Sequence, residues 1–216
     1  MFIGHYGVSF VAKRCIPRTS LGSLFLAVQL LDVLFGIFVL AGVEKLRIVP
    51  GYTEYNAYNA YDLYYMPYSH SLVGAVGWSV AAGLVALALA RRRTAIWIAA
   101  AVFSHFILDV PMHTPDLPIL GDDSPKIGLG LWQHRNLALA AELVALGVGL
   151  WIWRRATTVT PWNRARAATF AGLLIALTVA TPFLPTPRDG IQFAQQALAG
   201  YVVLAVLAGW LDRFRA

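Results

Sequence analysis

One cysteine, Cys15, stands in the 216 residues of this chain. An internal disulfide and any cysteine-based zinc cluster are therefore excluded. Charge is also scarce: Asp, Glu, Lys and Arg make up 13% of residues, against about 25% in an average water-soluble domain. No Gly/Ser-rich linker divides the chain, and no internal repeat is visible. A Gly-x-Ser-x-Gly elbow is missing, which argues against a serine nucleophile. Walker A and Rossmann glycine patterns are missing too. The opening stretch "MFIGHYGVSFVAKRC" puts its charges after its apolar part. That reverses the order of a secretory leader, so no cleavable signal is expected.

What is present in abundance is apolar surface, at 58% hydrophobic residues. A membrane-crossing helix needs about 20 predominantly apolar residues. Residues 21–43, 71–90, 94–110, 131–153, 167–184 and 191–210 meet that demand. Barrel strands would alternate polar and apolar residues, which these runs do not. The predicted fold is all-α: a polytopic membrane bundle of about six transmembrane helices plus a short N-terminal half-helix over residues 2–12. It forms one integral membrane domain, in which residues 1–153 supply the half-helix and four spans and residues 154–216 supply two more.

The positive charges orient these spans. Lys13, Arg14, Arg18, Arg91, Arg92, Arg93, Arg154, Arg155, Arg164, Arg166, Arg213 and Arg215 fall on one side of a six-span arrangement. The other side holds Lys45, Arg47, Lys126 and Arg188 beside Glu44, Glu54, Asp62, Asp116, Asp122, Asp123 and Asp189. The positive-inside rule puts the first side, with both termini, in the cytoplasm. The net charge of +6 is thus a signature of topology, and no nucleic-acid partner is expected. The loop "YTEYNAYNAYDLYYMPY" then lies outside, with Tyr52, Tyr55, Tyr58, Tyr61 and Tyr64 at every third position. Period three suits neither a strand face nor a helix face. An interfacial aromatic belt is the expectation, with a tyrosine-lined mouth as the alternative.

Ionisable residues inside spans mark functional sites by default. Here they are Asp32, His105, Asp109, Arg135 and Glu142, with His70, His113 and His134 near span ends. At about 1.5 Å of rise per residue, Asp32 lies roughly 16 Å above the cytoplasmic end of its helix and His105 roughly 18 Å. On the same scale Asp109 lies roughly 24 Å up, and His5 roughly 12 Å deep if the half-helix dips in from Lys13. These four residues can converge, with His70 and His113 closing the site from above. His105 and Asp109 are spaced i, i+4 and so share a helical face. Pro111 is expected to end that helix near Val110 and free His113 to turn back. Imidazole with carboxylate suits a divalent metal, zinc foremost, with manganese or iron as alternatives. The residues number more than one tetrahedral zinc requires, so two ions can be accommodated. Ser69, Ser71, Ser104 and Gln29 are candidates to orient the ligands. Asp122 and Asp123 read as solvated loop charges, and His134 as an interfacial residue.

The order of these motifs carries a resemblance. "GH" at Gly4–His5 is followed by "QLLD" at Gln29–Asp32, "SHS" at Ser69–Ser71 and HxxxD at His105–Asp109. This resembles the bacterial inner-membrane metal-dependent hydrolases, whose pattern is similar to the helical site of zinc phospholipase C. The likeness covers roughly residues 1–150 and implies His5, Asp32, His70, His105 and Asp109 as metal ligands, with Asp109 as the bridge. It implies His113 and Glu142 as holders of a further ion or as general base, and a location in the bacterial inner membrane. The expected chemistry is hydrolysis of a phosphoester, with a lipid-linked ester as candidate substrate, Asp109 and Glu142 catalytic, and Arg135 neutralising the phosphate. Two other classes stand beside it. One is an accessory subunit packed against membrane protein partners, for which "GAVG" at Gly74–Gly77 and "GVG" at Gly147–Gly149 allow close helix approach. The other is a small-solute transporter, for which neither internal symmetry nor paired broken helices are visible.

The topology is testable with reporter fusions. A fusion after Arg93 or at Ala216 should report cytoplasm, and one within residues 52–66 should report the opposite side. Signals on one side for both sets would defeat the six-span arrangement.

Overall fold

The computed structural model describes residues 1–53, 61–155 and 161–213. Among these, the architecture is helical. A 3-10 turn over Ile3–His5 leads into α1, Tyr6–Cys15. Helices α2 (Leu21–Val28) and α3 (Leu30–Leu40) follow. A hairpin of β1 (Lys45–Ile48) and β2 (Tyr61–Tyr65) comes next, then α4 (Leu72–Leu89) and α5 (Arg92–Met112). A second small hairpin, β3 (Leu117–Pro118) and β4 (Lys126–Ile127), precedes α6 (Arg135–Arg155), α7 (Pro161–Ala180) and α8 (Gly190–Arg213).

Five of these helices are long and apolar enough to cross a membrane, and six spans result if the bent α2–α3 pair counts as one. Their outward faces are apolar: Leu84, Val85, Leu89, Val144 and Val206 are all exposed. Contiguous apolar surface of this extent suits hydrocarbon rather than water. Helix α4 packs chiefly on α5, α6 on α1, and α8 on α2 and α3.

The first span is not the continuous helix that hydropathy suggests. It breaks at Gln29 and bends by 60°. Neither proline nor glycine stands at the break. The cause lies across the bundle, where His105 Nδ1 is 2.7 Å from the Val28 carbonyl oxygen. In an unbroken helix that carbonyl would accept from the Asp32 N–H. A side chain inserted into the ladder is a recognised origin of a kink.

α1 has ten residues and is about 15 Å long, too short to span a bilayer core of about 30 Å. It is nonetheless buried, as the half-helix expectation required. Tyr6 stacks on Phe25 at 4.1 Å between ring centroids, and Phe10 meets Trp153 at 5.0 Å. Lys13, at its far end, donates to the carbonyls of Pro17 and Thr19 and pairs with Asp212 of α8 at 2.6 Å. Its contact with α6 is backbone on backbone: a Cβ at Gly149 would sit 2.1 Å from the Gly7 carbonyl oxygen. Of the "GVG" pair, only Gly149 serves this approach, since a Cβ at Gly147 meets nothing within 4 Å.

Two further expectations gain detail. Helix α5 runs through Pro111 and ends at Met112, two residues past the expected stop near Val110. Proline's fixed φ suits a helix, and in the last turn only one backbone bond is forgone. His113 still caps the helix, its N–H donating to the Asp109 carbonyl at 2.9 Å. Part of the tyrosine-rich loop belongs to the first hairpin. Tyr61–Tyr65 forms a strand antiparallel to β1, pairing Ile48 with Tyr61 and Lys45 with Tyr65, and Arg47 bonds Asp62 across it. Tyr61 is buried and packs on Phe193 of α8. Tyr55 and Tyr58 lie outside the described residues.

Gly149→Ala should destabilise the protein by about 1–3 kcal/mol, the usual cost of overpacking, because only a shift of α1 from α6 can relieve the contact. Gly147→Ala should be neutral or slightly stabilising. Thermal unfolding in detergent compares the two, and equal midpoints would contradict the close α1–α6 packing.

Candidate metal centre

Four elements bring the predicted residues to one buried place. The turn Ile3–His5 carries His5, and the first turn of α3 carries Asp32. His70 precedes Ser71, which caps α4 by accepting from Gly74 N–H. α5 carries His105 and Asp109, one turn apart, and His113 follows at its C-terminus. His5 and His105 stack ring on ring, with centroids 3.9 Å apart and planes within 6°. Ligand atoms of His5, His105 and Asp109 lie within 4.8 Å of one another, as do those of Asp32, His70 and His105. The two groups share His105.

Hydrogen bonds behind the rings fix which nitrogen faces the centre. His105 Nδ1 meets the Val28 carbonyl, which can only accept, so Nδ1 carries the proton. His70 Nδ1 is 2.8 Å from Ser69 Oγ. That hydroxyl donates its one proton to Glu44 Oε2 at 2.6 Å, so it accepts from His70. His113 Nδ1 donates to Asp116 Oδ1 at 2.8 Å, and Thr114 steadies the same carboxylate from its other oxygen. In each neutral ring Nε2 is then a bare lone pair. Such bracing is the usual companion of a metal-ligating histidine.

Those three Nε2 atoms turn onto carboxylate oxygens. His105 Nε2 lies 3.0 Å from Asp109 Oδ2 and 3.5 Å from Asp32 Oδ1. His70 Nε2 lies 3.4 Å from Asp32 Oδ1 and 3.8 Å from Asp109 Oδ2, and His113 Nε2 lies 3.7 Å from Asp109 Oδ2. With neutral rings, lone pair would face lone pair, a repulsion that a cation among these groups relieves. His105 Nε2 is fully buried and makes no hydrogen bond, so its close neighbour Asp109 is off the line of an N–H donor. The residues present therefore fit a divalent ion. His5 differs: its Nε2 is 3.3 Å from both Asp109 Oδ1 and the His105 carbonyl, and its Nδ1 is buried without a partner. Asp109 offers one oxygen to each side, as a bridging carboxylate does. The α-amine of Met1 also approaches Oδ1, at 2.6 Å. Asp32 Oδ2 accepts from Tyr201 of α8 at 3.0 Å. A cavity of about 120 Å³ opens on the cluster and is lined by Asp32, His70, Asp109, His113 and Glu142 among others.

Not every expected residue takes its expected part. His113 reaches Asp109 but stands outside both three-residue groups. Glu142 borders the cavity, yet its two oxygens accept from the backbone N–H groups of Phe2 (2.7 Å) and Gly4 (2.6 Å), so it anchors the N-terminal turn rather than standing free as a base. Arg135 does not line the cavity. It donates to the Pro182 carbonyl at 3.1 Å and lies over the Phe183 ring. Ser104 bonds its own helix at Ala101, and Gln29 sits buried at the helix break. His134 is exposed, and Asp122 pairs with Lys126, as loop residues do.

Three residues escaped the sequence reading. In sequence Glu44 and Asp116 read as charges of the outer loops, but both are buried and brace histidines, Glu44 through Ser69. Asp116 had a local signal, since it stands three residues after His113. Glu44 had none: its partner Ser69 is 25 residues away. Tyr201 comes from a span with no motif at all. No protein-family model, no curated protein and no solved structure matches the chain.

Removing a brace should weaken the site without dismantling it. Ser69→Ala and Glu44→Gln are expected to lower divalent-metal affinity roughly 10–100-fold, while Asp122→Asn leaves it unchanged. Competition titration with a chromogenic chelator reads all three. Unchanged affinity in Ser69→Ala would count against the role assigned to His70.

Proposed function

We propose that the chain is a membrane-embedded, metal-dependent hydrolase of a phosphoester, with a lipid-linked ester as the favoured substrate class. The observation that carries this reading is the set of three imidazole Nε2 atoms, each braced from behind at Nδ1, turned onto two carboxylates beside a cavity. Zinc is the first candidate for the ion, with manganese or iron as alternatives, because the ligand set mixes nitrogen and oxygen. The resemblance in motif order to the inner-membrane metal-dependent hydrolases supports the same reading. With it come a bacterial inner-membrane location and cytoplasmic termini, which the arginine distribution also favours.

Asp32, His70, His105 and Asp109 would hold the ion, which when bound would lower the pKa of water toward about 7 and polarise a phosphoryl oxygen. The chain's own residues supply position. Asp109 presents Oδ1 toward His5 and Oδ2 toward His105, so one carboxylate can serve two cations. Asp32 is held in orientation by the Tyr201 hydroxyl. Hydrolysis forms a P–O bond from water, breaks the ester P–O bond, and releases the alcohol with a proton. His113, braced by Asp116 and bordering the cavity, is placed to carry that proton.

A second reading has one observation in its favour. The Met1 amine already gives Asp109 a cationic partner, as a purely structural polar network in a non-catalytic subunit would. Metal analysis separates the two. The purified protein should carry zinc, manganese or iron near stoichiometry and hydrolyse an aryl phosphodiester. Asp109→Asn should keep the helical circular dichroism spectrum while losing both metal and activity. Wild-type protein that neither retains nor takes up a divalent ion would leave the structural network as the explanation.

A further inference from the structure

Helix α8 supplies no residue to either three-residue metal group, yet it forms a whole wall of the cavity. Phe193, Gln196, Ala197, Gly200 and Tyr201 all line it. Their spacing of three and four residues is that of a single helix face. Two of the five are polar, and Tyr201 already touches Asp32. Gly200 leaves a gap in this wall: a Cβ there would meet nothing within 4 Å. A side chain there would start into open space.

The size and opening of the cavity narrow its occupant. Pockets that enclose a drug-sized ligand run to roughly 300–1,000 Å³. About 120 Å³ takes a headgroup and leaves an alkyl chain outside. Tyr61, Leu63 and Met66 of the first hairpin region line one part of the cavity, with Trp132 tilted against His113 at 4.1 Å between ring centroids. The side between the end of α7 and α8 is different. α8 packs chiefly on α2 and α3, and α7 on α6 and the N-terminal turn. Thr181, just after α7, lines the cavity, Gln196 lines it and is exposed, and the apolar side chains of Phe183 and Ile191, close to them in sequence, are exposed as well. Exposed apolar flanks near a cavity that carries the His/Asp cluster at one end suit an amphiphile arriving from hydrocarbon.

We propose that the α8 face is the substrate-reading wall of the site. An amphiphilic phosphoester enters from the bilayer between the end of α7 and α8, its phosphate toward the cluster and its chain left in lipid. This rests on the phosphoester reading above. The phosphate meets the cation-binding end of the cavity, and the Gln196 amide offers hydrogen-bond donors to it or to the adjoining ester. Phe193 and Ala197 contact the first apolar part of the alcohol. A wholly water-soluble ester gains little from such a wall.

The test compares octyl phosphate with inorganic phosphate as ligands of zinc-loaded protein in nanodiscs. Wild type, Gly200→Leu and Gly200→Ala are measured by titration, with metal content determined for each. Gly200→Leu should weaken octyl phosphate about tenfold or more, leave inorganic phosphate within about twofold, and keep its metal. Gly200→Ala should fall between wild type and Gly200→Leu for octyl phosphate. Equal octyl phosphate affinity in wild type and Gly200→Leu would overturn the proposal. So would an equal loss of both ligands, or loss of metal, either of which would make Gly200 a support of the cluster rather than part of a wall. If the wild type hydrolyses no ester, the hydrolase reading fails while these binding arms still decide the role of α8.

Discussion

The bond from His105 to the Val28 carbonyl is the interaction on which the rest of this site depends. It takes a carbonyl out of the ladder between α2 and α3, and the chain bends there by 60°. The bend sets the first turn of α3, and so Asp32, beside the histidines. The same bond puts the proton of His105 on Nδ1 and leaves Nε2 facing the two carboxylates. One hydrogen bond thus creates the break, aims the aspartate and selects the tautomer.

Two aspartates within an apolar bundle are costly. An aspartate at a span centre carries about 2.5–3.5 kcal/mol on insertion scales, and a typical intramembrane hydrogen bond returns only about 0.6 kcal/mol. The surrounding protein is built to hold the expensive groups fixed. Glu142 grips the N-terminal turn by two backbone N–H groups, Gly7 and Gly149 let α1 lie directly on α6, and Lys13 ties the far end of α1 to α8 through Asp212. A half-helix with such anchoring at both ends delivers His5 to the interior without crossing the bundle. A divalent cation would answer the charge of the two aspartates, beside the Met1 ammonium that already pairs with Asp109.

The helices were legible in the sequence because a long apolar run has few other solutions. The pairing of His105 with Asp109 was legible because i, i+4 spacing fixes a common face. Depth along each helix then grouped His5, Asp32 and His70 with them. What was not legible depended on partners distant in sequence. The break at Gln29 has no proline or glycine to announce it, since its cause sits on α5. Glu44 reads as one acid among several in a loop until Ser69 folds back onto it. Arg135 suited a phosphate by charge alone, yet the carbonyl of Pro182 and the ring of Phe183 hold it elsewhere. The α8 stripe is composed of residues so ordinary, Phe, Gln, Ala, Gly and Tyr, that only the cavity beside them gives the pattern meaning.

The central claim is that a divalent ion lies among the Nε2 atoms of His70 and His105 and the carboxylates of Asp32 and Asp109. Anomalous diffraction from crystals of the protein, recorded on both sides of the zinc or manganese absorption edge, tests it most directly. The account predicts an anomalous peak about 2.0–2.2 Å from at least three of these ligand atoms, with His70 and His105 in the orientations that bond Ser69 and Val28. Crystals grown with added metal that show no peak, with the imidazoles instead donating directly to the two aspartates, would contradict it.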